Sequence, residues 1–119
     1  MLLQTVTPIT VLGTTLLFAL FLSVTAHLAA RNVLGDVNPR RALYVGPLPA
    51  VIGIVGGAFS VSGALLVPAA LLVDGAMFAW SYDQPRRVVI AMTAIHAVIT
   101  TLLTIVLFGV TVLLGTMPG

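Results

Sequence analysis

The few charges in this chain are placed so that three long stretches carry none. Between Met1 and Ala30, Ala42 and Val73, and Val88 and Gly119 there is no Asp, Glu, Lys or Arg. Each stretch exceeds the roughly 20 apolar residues that cross a hydrocarbon core. A water-facing surface is normally charged at about a quarter of its positions, whereas 7% of the 119 residues here are charged and 60% are hydrophobic. The pattern predicts one membrane domain over residues 1–119, all-α and multi-pass, in the plasma membrane.

Proline and arginine placement divides the apolar sequence. Pro is accepted in the first helical turn, where its missing N–H would be unpaired anyway, and a Pro stands near the start of each segment: Pro8, Pro47 with Pro49, Pro68 and Pro85. Helices are expected at about 8–34, 42–59, 65–81 and 86–114, with Gly35 ending the first in a left-handed turn and Asp83 capping the fourth. The run Ser60-Val61-Ser62-Gly63 marks an abrupt turn between the second and third. The segment before the first helix has no basic residue, so that helix is expected to be retained rather than cleaved as a signal peptide. Four crossings put the arginine connectors, Arg31 with Arg40 and Arg41, and Arg86 with Arg87, on one side of the membrane, as the positive-inside rule requires. The expected architecture is an antiparallel bundle of four transmembrane helices, with both connectors cytoplasmic and both termini outside. Tyr44, Trp80 and Tyr82 then fall at the interface favoured by amphipathic rings.

The polar residues inside the spans are the candidates for function. An aspartate midway along a membrane helix is expensive and needs a partner. Asp74 and His96 both lie eleven residues from Pro85. On an antiparallel hairpin they reach the same depth, roughly 16 Å from the turn. This intramembrane pair is either a hydrogen bond that fixes helix register or a titrating element of a proton or ion path. Ala70, Asp74, Phe78 and Ser81 share a face of the third helix, and Thr93, His96, Ala97, Thr100 and Thr104 form a small, weakly polar stripe on the fourth. The threonines are expected to bond their own helix carbonyls. His27 and Arg31 lie one turn apart at the interfacial end of the first helix, with Asp36 as the expected partner of His27. Arg40, Arg41, Arg86 and Arg87 read as topology anchors that meet lipid headgroups. Gly53 and Gly57 have the small-xxx-small spacing that lets helices pack closely.

Several chemistries are excluded by the inventory. Cysteine and glutamate are absent, the serines lack a nucleophile-elbow setting, and no phosphate-cradling glycine loop is present. No catalytic residues, metal site or cofactor are expected. A haem between His27 and His96 is disfavoured by their different depths. The arginines cluster beside apolar spans, which argues against nucleic acid as a partner. The expected partners are the lipid bilayer and either further copies of the chain or a larger membrane complex.

The runs 25–36 (TAHLAARNVLGD) and 41–50 (RALYVGPLPA) resemble a family of short membrane proteins from halophilic archaea. That resemblance extends over most of the chain, including the histidine of the last helix. It implies a source and a compartment but carries no activity. The expected role is a small non-catalytic structural or accessory subunit, with a minimal proton- or ion-coupled carrier or channel built on Asp74 and His96 as the alternative.

Overall fold

The computed structural model describes residues 8–116. Four α-helices follow one another: α1 (Pro8–Leu34), α2 (Pro47–Ala58), α3 (Gly63–Tyr82) and α4 (Arg86–Thr116), with a 3-10 turn at Pro39–Tyr44. α1 ends as its sequence dictates, with Gly35 at φ 85° and its N–H donating to Arg31 O at 2.9 Å. Asn38 then caps the 3-10 turn by accepting from the Arg40 N–H at 3.0 Å.

The second helix differs from the expected 42–59. An α-helix through this region would need N–H groups at positions 47 and 49 to reach the carbonyls of Leu43 and Val45, and both positions are proline. Residues 39–44 therefore wind as a 3-10 turn closed by Val45 N–H and Gly46 N–H donating to Ala42 O at 3.0 and 3.2 Å. The α-helix proper begins at Pro47. It ends in a Schellman-type turn in which Val61 N–H reaches Gly56 O at 2.9 Å and Ser60 takes φ 59°. α3 starts at Gly63, so Pro68 lies inside it rather than at its start. Asp83 does not cap α4. It closes α3 in a left-handed conformation, φ 50° and ψ 53°, with its N–H on Ala79 O.

α1 packs against α2 and α4, and α3 packs against the same two, which closes the helices into a ring. Short connectors make sequence neighbours antiparallel. The helices are unequal: at about 1.5 Å per residue α1 and α4 run about 40 and 46 Å, and α3 about 30 Å. α1, α3, α4 and the 20-residue stretch Pro39–Ala58 are each long and apolar enough to cross a membrane.

The core is confined to one end. Ala26, Ala29, Ala30, Ala42, Val45, Phe78, Tyr82, Val89 and Met92 form it, all near the connectors that carry the arginines. The α1 face is built of small residues, which lets the first connector approach closely. Gly46 is seated there so tightly that a Cβ would lie 2.5 Å from Ser23 N and 2.6 Å from Ala19 O. Toward the other end Leu12, Leu16, Leu17, Leu102, Phe108 and Leu113 are exposed.

Candidate functional site

Midway along the helices, at the upper edge of this core, α1, α3 and α4 each place one polar side chain at a common point. The His96 ring of α4 is at the centre. Its Nδ1 lies 2.5 Å from Asp74 Oδ2 of α3, and its Nε2 lies 2.7 Å from Thr25 Oγ1 and 3.2 Å from Leu22 O of α1. Thr25 Oγ1 donates to Leu22 O at 3.0 Å, and Thr100 Oγ1 donates to Thr25 Oγ1 at 3.1 Å. Phe78 meets the imidazole edge-on at 5.5 Å. Thr25, Asp74 and His96 are 0%, 4% and 3% exposed.

The proton positions follow from what each atom is able to do. A carbonyl only accepts, so a hydrogen on His96 Nε2 would be shared between Leu22 O and Thr25 Oγ1, whereas a bare Nε2 would accept from the Thr25 hydroxyl. In the first arrangement the Thr25 hydroxyl gives its hydrogen to the same carbonyl and accepts from Thr100. One further proton lies between Nδ1 and Oδ2, because two bare lone pairs would repel at 2.5 Å.

This arrangement places a hydroxyl, an imidazole and a carboxylate in sequence. Activating Thr25 would require Nε2 to take the hydroxyl proton. Leu22 O lies within hydrogen-bond reach of both the hydroxyl and Nε2 and competes for that proton. What the network does chemically is tie three helices together and hold one proton between two buried groups.

One atom is left over. Asp74 Oδ1 is buried without a hydrogen-bond partner. Asp74 and His96 border a cavity of about 320 Å³, walled mainly by apolar side chains such as Phe18, Leu22, Leu66 and Leu71.

A family model described as a family of unknown function, DUF7473, matches residues 5–118. The chain belongs to this family. No curated protein and no solved structure matches it.

In this DUF7473 protein the remaining sequence candidates separate into those brought together and those left apart. Asp74 and His96 meet, and Phe78 and Ser81 are buried with Asp74 on one face of α3. Thr93 bonds its own helix at Val89 O, whereas Thr100 reaches across to α1 instead. His27 and Asp36 do not pair: His27 Nδ1 is buried without a partner, Asp36 is exposed, and Asp74–His96 is the one ion pair among the described residues. Arg31 sits in the last turn of α1. Gly53 approaches Phe18, but Gly57 faces open space; the tight glycine contacts are Gly46 on α1 and Gly56 on Leu66.

Arg41 is held by a reciprocal clamp, its Nη1 donating to Ser81 O while Ser81 Oγ donates to Arg41 O at 2.7 Å. Tyr44 and Trp80 meet edge to face at 5.6 Å beside it. These contacts bring the first arginine connector onto the end of α3, next to the turn that leads to Arg86 and Arg87.

Thr25 was not singled out by the sequence, although a signal for it existed. It lies nine residues from the end of α1, at nearly the depth of Asp74 and His96 relative to the same end of the bundle.

Proposed function

We propose that this protein is a four-span membrane protein that acts without catalysis, as a structural or accessory subunit that self-associates or joins a larger membrane complex. The observation that carries this reading is the closed hydrogen-bond network on His96. Every donor in it is used within the bundle. Such a network fixes the rotation of three otherwise featureless apolar helices, the register role best attested for buried polar groups. The positive-inside rule supports a cytoplasmic position for both arginine connectors, with Pro8 and Thr116 on the outer side. The resemblance of residues 25–36 and 41–50 supports the cell membrane of a halophilic archaeon as the setting.

Crosslinking in native membranes followed by purification tests the role directly. A crosslinked assembly, either with copies of itself or with other membrane chains, is the expected result; a protein recovered only as a monomer refutes it. For topology, Arg40→Cys and Arg87→Cys are expected to react with an impermeant thiol reagent from the same face of intact cells or inverted vesicles. Labelling from opposite faces overturns the four-span arrangement.

A second reading is favoured by one observation, the unpartnered Asp74 Oδ1 beside the cavity. Buried ionisable groups at membrane depth commonly mark proton or ion paths. On this reading the protein is a component of a proton- or ion-coupled carrier or channel. Proton flux in liposomes that is present in the parent and abolished by Asp74→Asn would establish it; flux at the empty-liposome level in both removes it.

A further inference from the structure

At the connector end of the bundle a cleft of about 510 Å³ lies between the 3-10 turn and the last turn of α3, lined by Asn38, Arg40, Arg41, Tyr44, Trp80 and Ser81. We propose that this cleft is a binding site for the phosphate group of an anionic phospholipid. The inference goes beyond the structural role above and does not depend on the Asp74 network.

Charge is the first reason. Five arginines but only two aspartates, Asp36 and Asp83, lie toward this end of the bundle, and no arginine is within ion-pair distance of a carboxylate among the described residues. Arg40 and Arg41 thus present two guanidinium groups to one cleft with no internal counter-charge. Guanidinium is the side chain best suited to bidentate recognition of phosphate.

Preorganisation is the second. The Arg41 side chain is held through one nitrogen on Ser81 O, while Ser81 Oγ holds the Arg41 backbone, so most of the fork's N–H groups remain available at a fixed position. Asn38 fixes the neighbouring loop by accepting from the Arg40 N–H. Holding the Arg41 side chain and the Arg40 backbone before binding lowers the entropy lost on capture.

The walls decide between a lipid and a free phosphate. Tyr44 and Trp80 stand edge to face and are 49% and 67% exposed. Such rings favour the membrane interface, where an apolar body and a polar edge are both accommodated. A soluble phosphate would use the two arginines and leave these rings exposed to water; a phospholipid covers them with its glycerol and upper acyl chains. Arg86 and Arg87 stand on the exposed start of α4, outside this cleft.

Trp80 is the single tryptophan of the chain, so it reports on this cleft alone. Protein in detergent micelles is titrated with phosphatidylglycerol brominated high on its acyl chains, and Trp80 quenching is followed; brominated phosphatidylcholine is the control. The parent is expected to quench at about tenfold lower phosphatidylglycerol than phosphatidylcholine. Arg40→Gln and Arg41→Gln are each expected to raise the half-quenching concentration of phosphatidylglycerol about tenfold, and Arg86→Gln and Arg87→Gln to leave it within twofold. Glycerol phosphate, which lacks acyl chains, is expected not to compete. Equal quenching by the two lipids, or an equal effect of all four substitutions, overturns the site. Competition by glycerol phosphate at the concentration of the lipid overturns the lipid as its occupant. If Arg41→Gln fails to fold for want of its clamp, Arg40→Gln decides, because its guanidinium makes no hydrogen bond among the described residues.

Discussion

Replacing Asp74 by Asn and by Ala separates two descriptions of the buried network that otherwise look alike. With the ring hydrogen on Nε2, Nδ1 of a neutral His96 is an acceptor facing position 74. An Asn side chain offers an N–H to that acceptor and keeps the bond, whereas Ala leaves Nδ1 bare in an apolar surrounding. A hydrogen bond of this type contributes about 1.5–3 kcal/mol in soluble proteins. Within membranes the value falls to about 0.6–1.7 kcal/mol, because the unfolded chain finds other partners. Asp74→Ala is therefore expected to destabilise by about 1–2 kcal/mol and Asp74→Asn by about 0.5 kcal/mol or less. His96→Ala removes both ring contacts and strands the carboxyl group, so about 3 kcal/mol is expected. Equilibrium unfolding in mixed micelles with increasing dodecyl sulfate, read by circular dichroism, gives all three values. If Asn proves as costly as Ala, Nδ1 is not an acceptor at that position and the donor assignment is wrong.

Three further outcomes are expected in the same assay. Gly46→Ala forces a methyl against the α1 backbone and should destabilise by about 1–3 kcal/mol, while Gly57→Ala, with open space at the same site, should be neutral or stabilising by up to about 1 kcal/mol; equal effects would contradict the close approach at Gly46. Asp83→Gly removes a side chain from a left-handed backbone and should stabilise by up to about 1 kcal/mol, a gain that Asp83→Ala should not show. Thr25→Val keeps the shape but loses the hydroxyl that joins His96 to Thr100; about 1 kcal/mol is expected, and Thr25→Ser should retain most of it.

Length and punctuation were legible in the sequence, and helix rotation was not. Gly35 ends α1 where the sequence places its stop, because Gly takes the left-handed conformation for backbone reasons that packing does not override. The depth match of Asp74 and His96 was likewise readable, since it depends only on rise per residue from a shared turn. The clasp of Thr25, the seat of Gly46 and the separation of His27 from Asp36 depend on which face of each helix looks inward. In a soluble helix a polar face reveals this, but α1, α3 and α4 are apolar nearly all round, so no periodicity distinguishes inside from outside. The misplaced start of α2 has a different cause. Pro47 and Pro49 were read as signs of a beginning, when their two missing N–H groups also forbid any α-helix that straddles them.

The confinement of the core to one end has a mechanical consequence. Pro8 and Thr116 lie at the end away from that core, so a pulling force applied there would peel α1 from α4 like the jaws of an opened clothes-peg, meeting little resistance at first. Tension would then concentrate at the His96 knot. In an optical-tweezers trace the largest rupture should come only after roughly the first four turns of each of these helices have separated, and Thr25→Val should lower that peak while leaving the initial compliance unchanged.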